Sequence, residues 1–145
     1  MCVFCSIANG KAEASILYED DLCIAFMNIR PIHPGEFMVI PRAHIDHFTD
    51  IPDELAGHSM IIAQRYGRRL MQLVQPKRIG YVVHGFGVAH AHLNVVPQHN
   101  DDDIISARHV IIEGGVMRIS DEALEVPTRQ ALDAIAAQLA DLNTL

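Results

Sequence analysis

The sequence predicts an α+β fold: an antiparallel sheet of about five strands with one long helix and a C-terminal helix. Short apolar runs bounded by glycine and proline recur between residues 16 and 97, and only two stretches hold helical periodicity. The two kinds of segment do not alternate as a doubly wound parallel sheet requires. At 145 residues, half of them hydrophobic, the chain makes one domain with a real core, taken here as residues 1–145. Nine glycines and seven prolines are too few for a disordered or collagen-like chain.

The elements follow in order. After the turn signal Ala8-Asn9-Gly10-Lys11, residues 16–19 form a short strand. Residues 21–29 are apolar with aromatic content, short enough for a strand buried on both faces, and Arg30-Pro31 closes them. Two prolines and a glycine in the next six residues force an extended loop before a third strand at 36–41. Thr49, Asp50 and Asp53 are candidate N-caps, with Pro52 in the first turn, for a long amphipathic helix near 53–74. Leu55, Met60, Ile61, Tyr66, Leu70 and Leu73 fall roughly at helical spacing there, and Arg65, Arg68 and Arg69 make a solvated face toward its C-terminal half. Residues 78–84 and 89–97 read as two strands around the glycine-bearing 84–88. The acidic run 101–103 marks a surface loop, residues 109–120 add a hairpin around Gly114-Gly115, and residues 131–142 are the last helix.

Charge and composition exclude several functions. A net charge of −7 gives no footing for a surface that tracks nucleic-acid phosphates, so any phosphate is held locally. No apolar run approaches the roughly 20 residues that cross a bilayer, and the first residues lack the regions of a signal peptide, so a cytoplasmic protein without a membrane partner is expected. Three cysteines, an odd count, argue against a disulfide scaffold. Cys2 and Cys5 form a CxxC pair that suits metal, redox chemistry or inert thiols alike.

The segment His90-Ala91-His92-Leu93-Asn94 carries the chemistry. Strand alternation sets His90, His92 and Asn94 on one face and Ala91, Leu93 and Val95 on the other. A buried face with three such polar groups wants a polar ligand, whereas a solvent-facing sheet edge tolerates histidines without function. Gly85 and Gly87 either make a plain hairpin turn or offer backbone N–H groups to a phosphate.

Three ordered blocks resemble the histidine triad (HIT) superfamily of nucleotide-binding hydrolases and transferases. They are CVFCSIANGKAEASILYEDDLCIAF, RPIHPGEFMVIPRAHI and HAHLNVVPQH, with family-like spacing throughout residues 1–99. Residues 100–145 look like a C-terminal extension of that core. The resemblance implies a HIT-like fold and a homodimer. It also implies reaction at the α-phosphate of a purine nucleotide derivative, such as a phosphoramidate or dinucleoside polyphosphate, through a nucleotidyl-histidine intermediate. His92 falls on the nucleophile position, between His90 and Asn94. Neutral imidazole has a lone pair for attack, and an Nδ1–H donated to a backbone carbonyl leaves Nε2 as that nucleophile. Asn94 replaces the third histidine: its amide can donate to a phosphate oxygen but carries no transferable proton, with a rate penalty of about 10²–10³. The alternative is therefore a nucleotide-binding regulatory protein with weakened catalysis. Phe4, Ile7, Phe26, Met27 and Ile29 map onto the nucleotide pocket, and Asn28 onto the position that meets ribose hydroxyls.

Bacterial-type members further imply a structural zinc held by Cys2, Cys5, His44 and His90, with no position open to substrate. Cys23 is expected in the core and Arg42 in solvent, and His33, His47, His58 and His109 at the surface or in turns. His84 and His99 flank the triad segment and are candidates to move a proton.

Overall fold

The computed structural model describes residues 2–85, 87–104, 110–119 and 124–141. Its centre is a five-stranded antiparallel sheet formed by β1 (Ile16–Glu19), β2 (Cys23–Met27), β3 (Phe37–Pro41), β4 (Arg78–Val83) and β5 (Leu93–Gln98). The order across the sheet is β1-β2-β3-β5-β4. A short turn joins β1 to β2, a longer loop over 28–36 joins β2 to β3, and the long helix α2 (Asp53–Val74) crosses between β3 and β4. A second sheet of two strands, β6 (Val110–Glu113) and β7 (Val116–Ile119), turns on Gly114 and Gly115. Both glycines have positive φ, as a tight two-residue hairpin turn demands. His109 lies outside the described residues.

The α+β expectation holds, with α2 at its expected boundaries. Pro52 caps α2 without a side-chain hydrogen bond, so none of Thr49, Asp50 and Asp53 serves as its cap. The C-terminal helix α3 (Arg129–Ala140) starts two residues earlier than its periodicity suggests, because Thr128 caps it through a bond from the Ala131 N–H. A six-residue helix, α1 (Val3–Ala8), was not foreseen: it is too short to carry a period.

The sheet separates two apolar clusters. On one face, Ala25, Met27, Val39, Leu93 and Val95 pack with Ile62, Tyr66 and Leu70 of α2 and Leu132, Ala136 and Leu139 of α3. Cys23 belongs there, fully buried as expected. On the other face, Phe4 and Ile7 of α1 pack on Ile24, Phe26 and Ile40. Gly35 (φ 102°) brings the loop before β3 against α2, where an added Cβ would lie 2.5 Å from Leu70 Cδ1. No described helix is long and apolar enough to cross a membrane.

Arg42 and His58 leave the solvent positions expected of them. Arg42 donates to the Asp20 and Ala8 carbonyls at 2.5 and 2.7 Å and meets Glu19 at 2.6 Å, tying α1 to the β1–β2 turn. His58 Nε2 lies 2.6 Å from Asp20 Oδ2, and the Tyr18 hydroxyl donates to the same oxygen at 2.5 Å. That bond to Asp20, with burial, pushes the Tyr18 hydroxyl up to about 12.

Candidate functional site

His90 and His92 stand on the segment that leads into β5, not within β5 itself, which begins at Leu93. The strand expected from residue 89 is shorter because the Ala91 N–H leaves the ladder and donates to the Ile45 carbonyl at 2.7 Å, in the loop after β3. The alternation survives. Leu93 and Val95 enter the α2 cluster, while His90 and His92 both meet the Phe4 ring, with centroids 5.9 and 5.5 Å apart. Asn94 pairs across from Met38, which packs with the same α1-side cluster.

His92 is 8% exposed, and its Nδ1 lies 2.7 Å from the His90 carbonyl oxygen. A carbonyl only accepts, so Nδ1 carries a proton, and the neutral form of the ring has its lone pair on Nε2. His92 and His84 line two adjoining cavities. The larger, about 810 Å³, is in the range that holds a small-molecule ligand. The smaller, about 200 Å³, is walled by Asp46, His47, Thr49, Gly85 and His90 among others.

Of the expected nucleotide contacts, Phe4, Ile7, Phe26, Asn28, Ile29 and Gly87 line the larger cleft. Met27 borders it too, yet packs within the core cluster on the opposite face of the sheet. Gly85 lines the smaller cavity instead. Asn94 is in the wall of neither, and its Nδ2 donates to the Val82 carbonyl of β4 at 3.2 Å.

Sequence reasoning missed Glu36, which fixes Asn28. The Asn28 amide donates to Glu36 Oε1 at 2.7 Å while its Oδ1 accepts from the Arg30 N–H at 2.9 Å, and the Ile32 N–H donates to Glu36 Oε2 at 2.7 Å. Burial pushes the Glu36 carboxyl up despite these donors. A glutamate heading an apolar strand right after Pro-Gly was the available signal. Glu13 and Arg129 were also missed, and both line the larger cleft. His99 moves out of the site: its ring packs against His33 at 4.8 Å, beyond the far end of β5. His33 is half-buried, with Nε2 2.8 Å from the fully buried Asp103.

Beside His92, Cys2, Cys5, His44 and His90 converge, their ligand atoms all within 4.8 Å of one another. The two His Nδ1 atoms are 3.4 Å apart, and three sulfur–nitrogen distances are 3.3, 3.5 and 3.6 Å. Zinc bonds of about 2.3 Å to sulfur and 2.0–2.1 Å to nitrogen would set tetrahedral edges of about 3.3–3.4 Å (N–N) and 3.5–3.6 Å (S–N). The residues fit such an ion. His90 Nε2–H donates to the Pro41 carbonyl at 2.9 Å, which leaves Nδ1 as the ligand atom, and burial pushes His90 toward the neutral form that coordinates.

An antiparallel sheet with helices, a backbone-oriented histidine between two cavities and a four-ligand cluster beside it is the arrangement that the histidine triad resemblance implies. The chain belongs to the HIT family: residues 9–101 match the HIT domain. It is 34% identical over 143 residues to an uncharacterised HIT-like protein of Mycobacterium tuberculosis, covering 94% of each chain. Among solved structures it is similar to a zinc-bound histidine triad family protein from Mycobacterium smegmatis. That chain is 29% identical with a TM-score of 0.69, covering 95% of this chain and 94% of that one. A HIT family hydrolase from Legionella pneumophila is 31% identical with a TM-score of 0.57, covering 66% of this chain and 91% of its own.

Proposed function

We propose that the chain is a nucleotide hydrolase or nucleotidyl transferase acting at the α-phosphate of a purine nucleotide derivative, a phosphoramidate or dinucleoside polyphosphate. The observation that carries this reading is the Nδ1–H of His92 held by the His90 carbonyl in the shared wall of two cavities. Nε2 bonds to phosphorus as the bond to the leaving oxygen or nitrogen breaks, and the leaving group departs with the electron pair. His84, in the same wall, protonates it. Water or another acceptor then attacks phosphorus, the N–P bond returns its electrons to Nε2, and His84 recovers the proton from the acceptor.

The base lies against Phe4, Ile7 and Phe26, and Asn28, oriented by Glu36, meets ribose. Cys2, Cys5, His44 and His90 would hold zinc, which would supply a structural tie between α1 and the His92 segment. A second reading, nucleotide binding with weakened turnover, is favoured by the Asn94 amide being engaged with Val82. Exposed Met60, Ile61 and Met71 on α2 and Tyr81 and Val83 on the edge strand β4 support a homodimer. Sedimentation equilibrium returning a 16.1 kDa monomer at assay concentrations removes the dimer.

The test is release of nucleoside monophosphate from a phosphoramidate or dinucleoside polyphosphate, with the nucleotidylated protein trapped by rapid quench and weighed by mass spectrometry. His92→Ala is expected to abolish the adduct and lower turnover about 10³-fold or more. Turnover unchanged in that variant removes the mechanism.

A further inference from the structure

The larger cleft crosses the sheet from strand to strand. It begins at His92 next to β5, passes Met38 on β3 and Phe26 on β2, and ends at Glu13, Ala14 and Arg129 beside β1. Neighbouring strands are about 4.8 Å apart, so its two ends are separated by about 14 Å. A nucleotide held with its α-phosphate at His92 and its ribose at Asn28 directs its base toward the β1 end.

Two charged groups stand there: Arg129, which is anchored in the fold, and Glu13, whose side chain is exposed. Arg129 opens α3, beyond the residues matched to the HIT domain. Its Nη1 donates to Ser15 Oγ at 2.9 Å, and the Ser15 hydroxyl donates to Asp133 Oδ1, one turn along α3, at 2.6 Å. Ser15 is 2% exposed, so this anchor is dry. Arg129 Nε faces Glu13 Oε1 at 3.6 Å. The guanidinium is a rigid fork of five N–H groups; one on Nη1 goes to Ser15, and Glu13 stands beside Nε as an ion pair at 3.6 Å without a hydrogen bond, so among the described residues most of the fork faces the cleft.

We propose that Glu13 and Arg129 read the edge of the base and select guanine over adenine, making a guanosine 5′-phosphoryl derivative the preferred ligand of this cleft. The inference rests on the nucleotide reading above. Guanine presents donors at N1 and N2, which suit the Glu13 carboxylate, and acceptors at O6 and N7, which suit the arginine fork. Adenine in the same seat sets its amino donors against the guanidinium and its N1 lone pair against the carboxylate. An acid and a base side by side thus match the donor–acceptor order of one purine. The apolar walls of Phe4 and Phe26, edge to face at 5.4 Å, take either purine ring and do not discriminate.

Calorimetric titration of the metal-replete protein with GMP and with AMP tests this. The expected result is GMP bound about tenfold or more tightly. Glu13→Gln and Arg129→Ala are each expected to weaken GMP binding and bring the GMP-to-AMP ratio to within about twofold of one. Because Arg129 also anchors α3, the decisive variant is Glu13→Gln, whose side chain is 76% exposed. Equal affinity for the two nucleotides in the unaltered protein, or a ratio unmoved by Glu13→Gln, overturns the base reading while leaving the nucleotide site standing. Failure of both nucleotides to bind overturns the proposed function itself, and this inference with it.

Discussion

With zinc in the proposed Cys2, Cys5, His44 and His90 site, removal of the metal should undock the first helix. α1 has six residues, far below the length at which a helix holds together alone, so its structure comes from docking. Docking has two sources: Phe4 and Ile7, 6% and 8% exposed, and the ligand cluster through Cys2 and Cys5. Burying each of those side chains contributes about 1.5–3 kcal/mol, so releasing α1 costs about 3–6 kcal/mol. For a chain of this size that is about 10 °C or more of melting temperature. Phe4 also forms part of the cleft wall and meets the His92 ring, so nucleotide affinity falls at the same time. The assay is a thermal melt and a nucleotide titration before and after a high-affinity chelator, with zinc content by elemental analysis, repeated on Cys5→Ser. Recovery on adding zinc completes the expected result. A purified protein with less than about 0.1 zinc per chain, whose melt moves less than about 2 °C on adding zinc, refutes the reasoning.

Two further outcomes follow from particular contacts. Asn94→Ala removes the bond to Val82 and should cost about 1 kcal/mol of stability in a urea melt. Since Asn94 lines neither cavity, its initial rate should fall less than about tenfold, set against the 10³ expected for His92→Ala; a loss of about 10²–10³ would return Asn94 to the phosphate. The acid limb of the stability curve should belong to Asp20. Burial alone would raise its carboxyl, but donors from Tyr18, the Cys23 N–H, His58 and the Leu22 N–H outweigh that and hold it well below the usual carboxylate range. A depressed folded value gives stability that is present above the unfolded value, near 3.9, and is lost as pH falls through and below it. Glu36, pushed up by burial, acts with the opposite sign, and its window closes near its ordinary value of about 4.3, so the two separate. Urea midpoints from pH 5 down to pH 2.5 should fall steeply in the unaltered protein and less steeply in Asp20→Asn; parallel limbs would exclude this assignment.

What was legible in the sequence was what short-range rules govern. The spacing of Leu55 to Leu73 gave the extent of α2 but only part of its buried face: Tyr66 and Leu70 enter the core, whereas Met60 and Ile61 are exposed and Ser59, Ile62, Ala63 and Gly67 are buried in their place. The shared side of His90, His92 and Asn94 survived even where β5 had not begun: His90 and His92 both meet Phe4 while Leu93 and Val95 enter the core on the other face. The Nδ1 partner of His92 was foreseeable in kind for the same reason: it is the carbonyl two residues back. For Asn94 the face was legible and the partner was not. Only the β4–β5 register, pairing Val82 with Asn94, gives that amide an acceptor on the neighbouring strand.

The same distinction explains why the far end of the cleft was invisible. Arg129 and Ser15 lie 114 residues apart in sequence, and each alone reads as a polar residue at the edge of an element. Their meeting depends on α3 packing over β1, which depends in turn on Leu132, Ala136 and Leu139 filling the α2-side cluster. The face of α3 that enters the core thereby sets its first residue at the opposite edge of β1, where the cleft ends. A change in the packing of α3 should therefore be felt in base recognition before it is felt at His92, because β2, β3 and β5 lie between them.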